Sequence, residues 1–290
     1  MNIIEIYQRF PTQSDCIKHL EEIKWNNEPI CPYCKSTSQT PEKGTHRYHC
    51  NSCNTSYSVT VGTIFHHTHL DLQKWFLAIS LVLNAKKGYS ARQLSRDILV
   101  TKDTAWRMLM QIRKAFTDDH DLLEGIIEAD ETFIGGKNKN RHADKKVENC
   151  QGRSFKDKTP VIGLLQRNGK VKARKAKDTS SKTLTGFIKA NVKEGATVST
   201  DEWGGYNKVS EKFTHLIVTH GSGQYVDGVA HTNTLEGFWS LFKRGIIGQY
   251  HQISAKYLDK YVDEFCFRYN NRKNDRLWEL TIERGVNLAY

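Results

Sequence analysis

Two cysteine pairs, Cys31-Pro-Tyr-Cys34 and Cys50-Asn-Ser-Cys53, stand fifteen residues apart. Each short turn lets two sulfurs reach one ion, and two such turns complete the tetrahedral four-thiolate set that zinc prefers. Alternation in His46, Tyr48, Cys50 and then in Tyr57, Val59, Val61 predicts short strands around the second pair, which makes a zinc ribbon. Disulfides and a redox dithiol are the competing uses of such cysteines, although a redox pair needs only one turn. Four thiolates leave no coordination position for water, so one structural Zn2+ is expected on Cys31, Cys34, Cys50 and Cys53, without chemistry. Cys16, Cys150 and Cys266 are scattered and read as reduced thiols.

The rest of the chain is basic. Forty-three Lys and Arg against 32 Asp and Glu give +11 and a pI near 9.2, which favours a polyanionic partner, nucleic acid first. No apolar run approaches a membrane span, and MNIIEIYQRF lacks the sections of a signal peptide. The expectation is a cytoplasmic protein, nucleoid-associated when acting, without a membrane partner or a small-molecule cofactor.

Three segments follow from the patterning. Residues 1–66 hold a helical lead-in, capped by Thr12 or Ser14, and the ribbon. In residues 67–120, Asp71 is expected to cap a helix carrying Leu72, Trp75, Phe76, Ile79 and Val82, stopped near Gly88. Ser90–Asp97 and Thr101–Phe116 then form two helices around a tight turn, a helix-turn-helix whose second member fits a major groove; a plain packing unit is the alternative. Arg92, Lys102, Arg107, Arg113 and Lys114 are its expected DNA contacts.

Residues 121–290 turn to strands. Gly125–Gly136 reads as a strand. The segment 135–158 carries eight basic residues against three acidic, and its Lys137 and Lys139 are expected to grip a phosphate backbone unless the loop is merely solvated. A hairpin about Asn168-Gly169, a helix capped by Ser181, a strand delivering Asp201 and a strand at 215–219 come next. A loop at 221–228 leads to HTNTLEGFWSLFKRGIIG, residues 231–248, and a last helix spans 254–269. Three strands, a helix, two strands and a helix is the order of the ribonuclease-H-like fold, an α/β core with a mixed sheet flanked by helices.

In residues 231–248, Leu235, Phe238, Trp239, Phe242 and Ile246 form one helical stripe, while Glu236, Ser240 and Lys243 form another. Asn233 and Glu236 also fit a capping box, so a capping role for Glu236 stays open. The alternative joins Glu236 to Asp130 and Asp201 as ligands of two Mg2+ ions, with Mn2+ able to substitute. Asp130 would bridge the ions and Lys243 would position a DNA phosphate. Strand alternation leaves Glu128 on the face of Asp130 as a rival ligand and turns Glu131 away.

These stretches together resemble insertion-sequence transposases of bacteria that join a zinc ribbon to a DDE-type catalytic domain. The resemblance is carried by Cys31–Cys53, GTIFHHTHLDLQKWF, GYSARQLSRDILVTKDTAWRM, EADETFIGGK, TDEWGGY, HTNTLEGFWSLFKRGIIGQYHQIS and YVDEFCFRYNNR. It implies that Asp130, Asp201 and Glu236 are the metal-binding triad and that Lys243 is the basic residue below the glutamate, with Arg244 beside it as a further DNA contact. It also implies a DNA transposase that binds the inverted repeats ending its element, cuts there with water, and joins the freed 3'-hydroxyl to target DNA. Handling two ends implies at least a dimer on DNA. A nuclease without strand transfer and a DNA-binding regulator descended from such an enzyme are the rival readings.

Overall fold

A computed structural model of the chain describes residues 1–117, 121–136, 142–148, 157–219 and 231–288. They belong to two compact units, one formed by residues 1–117 with 274–290 and the other by residues 118–273. The expected loop at 221–228 and Cys150 lie outside the described residues. No described helix is long and apolar enough to cross a membrane.

In the first unit, α1 (Ile3–Arg9) and α2 (Gln13–Trp25) each start on a capping box, Asn2 with Glu5 and Thr12 with Asp15. The ribbon is an antiparallel sheet of β1 (Gln39–Pro41), β2 (Tyr48–Cys50) and β3 (Thr55–Tyr57). Two neighbouring residues of α2 hold it: Trp25 meets Tyr48 and Tyr57 edge-on, and Lys24 Nζ donates to the carbonyls of Val59 and Val61. Next come α3 (Leu72–Asn84), α4 (Ala91–Asp97) and α5 (Lys102–Ile112). Ser90 and Thr101 cap the last two, accepting from Gln93 N and Thr104 N.

Asp71 sits at the N-cap of α3 without bonding to it. The N–H of Leu72 goes instead to Gln13 Oε1 (2.7 Å), a partner supplied by tertiary structure. The C-terminal helix (Leu277–Val286), grouped by sequence with the catalytic segment, belongs to this first unit. Its Trp278 is buried against Phe10 and Phe76 and donates to Phe76 O (3.2 Å), so an apolar stripe decides its place.

The second unit is a five-stranded sheet of β4 (Ile126–Ile134), β5 (Thr159–Gln166), β6 (Val171–Lys175), β7 (Thr197–Asp201) and β8 (Thr214–Val218). Its order is β6-β5-β4-β7-β8: the first three strands form an antiparallel meander, and β7 and β8 add parallel on the other side of β4. That is the ribonuclease-H-like arrangement. A crossover helix, α6 (Ser181–Asn191), links β6 to β7 and buries Leu184, Phe187 and Ile188 in one cluster with Ile127, Ala129, Ile162, Leu164 and Val198. Ser180, rather than Ser181, occupies its N-cap, and Asp178 Oδ1 takes the Ser180 N–H and the hydroxyls of Ser180 and Thr183.

Between Ile162 and Leu164, Gly163 faces the other way, toward α7 (Asn233–Gly245). A Cβ there would lie 2.5 Å from Trp239 Cζ2, so glycine lets the helix approach this close. Leu235, Phe238, Trp239, Phe242 and Ile246 are all buried, as their spacing predicts. One π turn, Ile246–Tyr250, extends α7, and its Tyr250 hydroxyl donates to the buried Glu264 (3.2 Å) of α8 (Leu258–Asn270). The outer strand β6 is covered at its open edge by side chains of α8. The Asn270 amide exchanges two bonds with the Val171 backbone, and Asp259 accepts from Lys175 N (2.8 Å).

Candidate functional site

The four ribbon cysteines bring all their sulfurs within 4.8 Å of one another. Cys31 Sγ lies 3.7 Å from Cys53 Sγ, and Cys34 Sγ lies 3.5 Å from Cys50 Sγ. A tetrahedron with Zn–S bonds of about 2.3 Å has edges of roughly 3.8 Å, so the donor set fits zinc closely. Backbone N–H groups of Cys53 and Ser52 pull the Cys50 thiol down, while burial and the three neighbouring sulfurs push the Cys34 thiol up. Cys16 and Cys266 are buried and form no disulfide among the described residues.

The acids meet by a different route. Asp130 lies on β4 opposite Gly163, Asp201 ends β7 beside it in the sheet, and Glu236 stands in the first turn of α7 on its exposed face. Burial, then the Glu131 carboxylate, then those of Asp201 and Glu236 push the Asp130 carboxyl up to about 7. Asp201 and Glu236 thus lie near enough to Asp130 for their charges to act on it. Among the described residues, only the cysteines form a set of three or more metal-binding side chains with every ligand atom within 4.8 Å, so the acids are spaced more widely. Asp201 Oδ1 accepts from Trp203 N (3.1 Å), and Glu236 Oε1 accepts from the buried Thr232 hydroxyl (3.0 Å).

Two neighbouring glutamates have structural partners. Glu131 points away from the site and accepts from the hydroxyl of Tyr206 (2.9 Å), both being buried. Glu128, the rival ligand, is 0% exposed and occupied at both oxygens. Oε1 accepts from Arg167 Nε (3.0 Å) and Thr234 Oγ1 (2.9 Å), and Oε2 accepts from Leu235 N (2.9 Å). The N-cap of α7 is Thr232, not Asn233, and the Asn233–Glu236 capping box does not form. Glu128 takes the Leu235 amide, the Glu236 amide bonds to Thr232 O (3.0 Å), and the carboxylate of Glu236 is turned to the Thr232 hydroxyl. Thr232 and Tyr206 lie within the HTNTLEGF and TDEWGGY stretches without having been assigned a role there, and Arg167 is visible only as the residue before the Asn168-Gly169 turn.

Of the basic residues, Arg92, Lys102 and Arg107 are exposed on α4 and α5, and Lys243 and Arg244 are exposed on α7. Lys114 is half-buried. Arg113 must be withdrawn as a DNA contact: it is 2% exposed. It stands four residues after the buried Leu109, where the helix passes into a 3-10 turn, Arg113–Phe116. Lys137 and Lys139 lie outside the described residues.

Comparison with known proteins gives the following. Residues 122–270 match the family described as ISXO2-like transposase domain, and residues 11–56 match the transposase zinc-ribbon domain. A Halobacterium salinarum protein, described as an uncharacterized protein in transposable element ISH50, is 30% identical over 262 residues, covering 86% of this chain and 88% of its own. That relative is archaeal, so the likeness extends beyond bacteria. Among solved structures, the Mos1 strand transfer complex is 12% identical and covers 72% of this chain and 78% of its own, with a TM-score of 0.30. The Mos1 paired-end complex with left transposon end is 13% identical at the same coverage, with a TM-score of 0.28.

Proposed function

The chain belongs to the ISXO2-like transposase family, and from that premise we propose that it cuts and joins element ends at a metal site of Asp130, Asp201 and Glu236. The observation that carries this reading is that Asp201 from β7 and Glu236 from α7 lie close enough to Asp130 to help raise its carboxyl, after burial and the adjacent Glu131. Such crowding is costly without a cation, and hard carboxylate oxygens suit Mg2+, with Mn2+ as a substitute. Two bound ions would neutralise phosphate charge and activate the attacking water or 3'-hydroxyl. A spacing wider than a single-ion cage accords with ions shared among protein, water and phosphate.

Lys243 shares the exposed face of Glu236 two helical turns on, where it can hold a DNA phosphate, with Arg244 next to it. Arg92, Lys102 and Arg107 on α4 and α5 face solvent and supply contacts to groove and backbone. One zinc on the four cysteines stabilises the ribbon and leaves chemistry to the acids. The DNA partners are the element's ends and its target, handled by at least a dimer in the cytoplasm.

The test is incubation of full-length protein with Mg2+ and a labelled DNA end from its element, beside Asp201→Asn. Cleavage and joining should vanish in the variant while binding to the end persists. A variant that cuts like the wild type would remove Asp201 from the site. A wild type that binds but cuts with neither Mg2+ nor Mn2+ would point to the regulator instead.

A further inference from the structure

Resting on the metal site proposed above, we infer that Glu128 is a positioning residue: it clamps the first turn of α7 and thereby sets the place of Glu236. A helix start leaves N–H groups without partners inside the helix, and an N-cap side chain is the usual remedy. Here Thr232 occupies the N-cap but makes no capping bond. Its hydroxyl serves Glu236, and the Leu235 N–H is taken by a carboxylate from a strand far away in sequence.

The same carboxylate gathers the surrounding parts. Thr234 Oγ1 and Arg167 Nε bond to Oε1, and His231 Nδ1 lies 3.1 Å from it. Arg167 Nη2 donates to His231 O (3.1 Å), which also accepts from Ser199 Oγ (3.0 Å). Ser199 is the ladder partner of Glu128 on β7, two residues before Asp201, and Glu128 is two residues before Asp130. One buried cluster therefore touches all three elements that carry the acids.

Its chemistry favours positioning over metal binding. Both oxygens already accept hydrogen bonds, and the side chain has no exposed surface. A buried ion pair is weak as a source of stability but demands particular geometry from its partners. The partners gathered here include His231 and Thr234, which flank Thr232, the residue whose hydroxyl bonds to Glu236.

The test is Mn2+ binding to full-length protein without DNA, read from the paramagnetic resonance signal of free Mn2+, so that no activity is needed. Glu128→Gln keeps the shape but loses the charge that gathers Arg167 and the helix start. It should bind Mn2+ about tenfold more weakly, the scale expected when support behind a ligand is lost, while zinc content and the thermal unfolding transition show a folded chain. In a Glu236→Ala background the same change should cost nothing further, because Glu128 acts through Glu236. Should Glu128→Gln fail to fold, Thr232→Val removes the hydroxyl that links the clamp to Glu236 and should weaken Mn2+ in the same direction. Unchanged Mn2+ affinity in a folded Glu128→Gln or Thr232→Val, or a full loss persisting without Glu236, would overturn the inference. If Glu236→Ala itself left Mn2+ affinity unchanged, the metal-site reading would fall, and the clamp with it.

Discussion

The ribbon draws its four thiols from residues 31–53, on turns and one short strand, and packs the sulfurs within 4.8 Å. The acids come from two strands and a helix between residues 130 and 236, and they converge only because β4, β7 and α7 are neighbours. The first arrangement is written in local spacing. The second depends on residues that never touch a ligand, among them Gly163, Glu128 and Asp178. Damage to a ligand should therefore be the main hazard for the ribbon, and damage to packing or caps the added hazard for the acids.

The largest expected effect is loss of zinc. Apparent binding energies of structural zinc are roughly 10–16 kcal/mol, so a chelator should unfold β1–β3. Hydrogen exchange should then quicken across residues 39–57 while the amides of β4, β5 and β7 stay protected. Equal loss of protection in both regions would break the comparison.

Gly163→Ala should come next, striking the acids without changing one. Its Cβ would press 2.5 Å from Trp239 Cζ2 and 3.3 Å from Leu235 Cδ1, forcing α7 away from the sheet. Overpacking of this kind costs about 1–3 kcal/mol. Urea denaturation should register that loss, cleavage should fall with it, and zinc content should be unchanged.

The smallest effect belongs to Asp178, whose carboxyl is held down to about 2 by Thr183 and Ser180. It organises the start of α6, near which Trp203 Nε1 donates to Thr179 O (3.5 Å) and the Trp203 amide bonds to Asp201. Because the folded value lies below the unfolded one, its stabilisation is complete above 3.8 and is lost as pH falls toward about 2. Asp178→Ala should lower the urea midpoint slightly at neutral pH, and its gap from wild type should narrow across that acid window.

Much of this was legible because periodicity and spacing are local. The inward stripe of α7, the hairpin at Asn168 and the cysteine pairs needed no tertiary knowledge. The positions of Asp130 on β4 and of Asp201 at the end of β7 followed from the order of strands. What escaped was set by distant partners or by the burial of a charged side chain. Gln13 replaced Asp71 in serving α3, Glu128 took the Leu235 amide at the start of α7, and Arg113 turned inward. Trp278 drew the last helix into the first unit, a choice that no boundary signal in the sequence marks.

The most direct measurement is anomalous diffraction from crystals of the protein soaked with Mn2+. The account predicts Mn2+ density touching the carboxylates of Asp130, Asp201 and Glu236, with zinc on the four cysteines and nothing bound to Glu128. Manganese held by Glu128, or none beside Asp130 while the ribbon keeps its zinc, would contradict it.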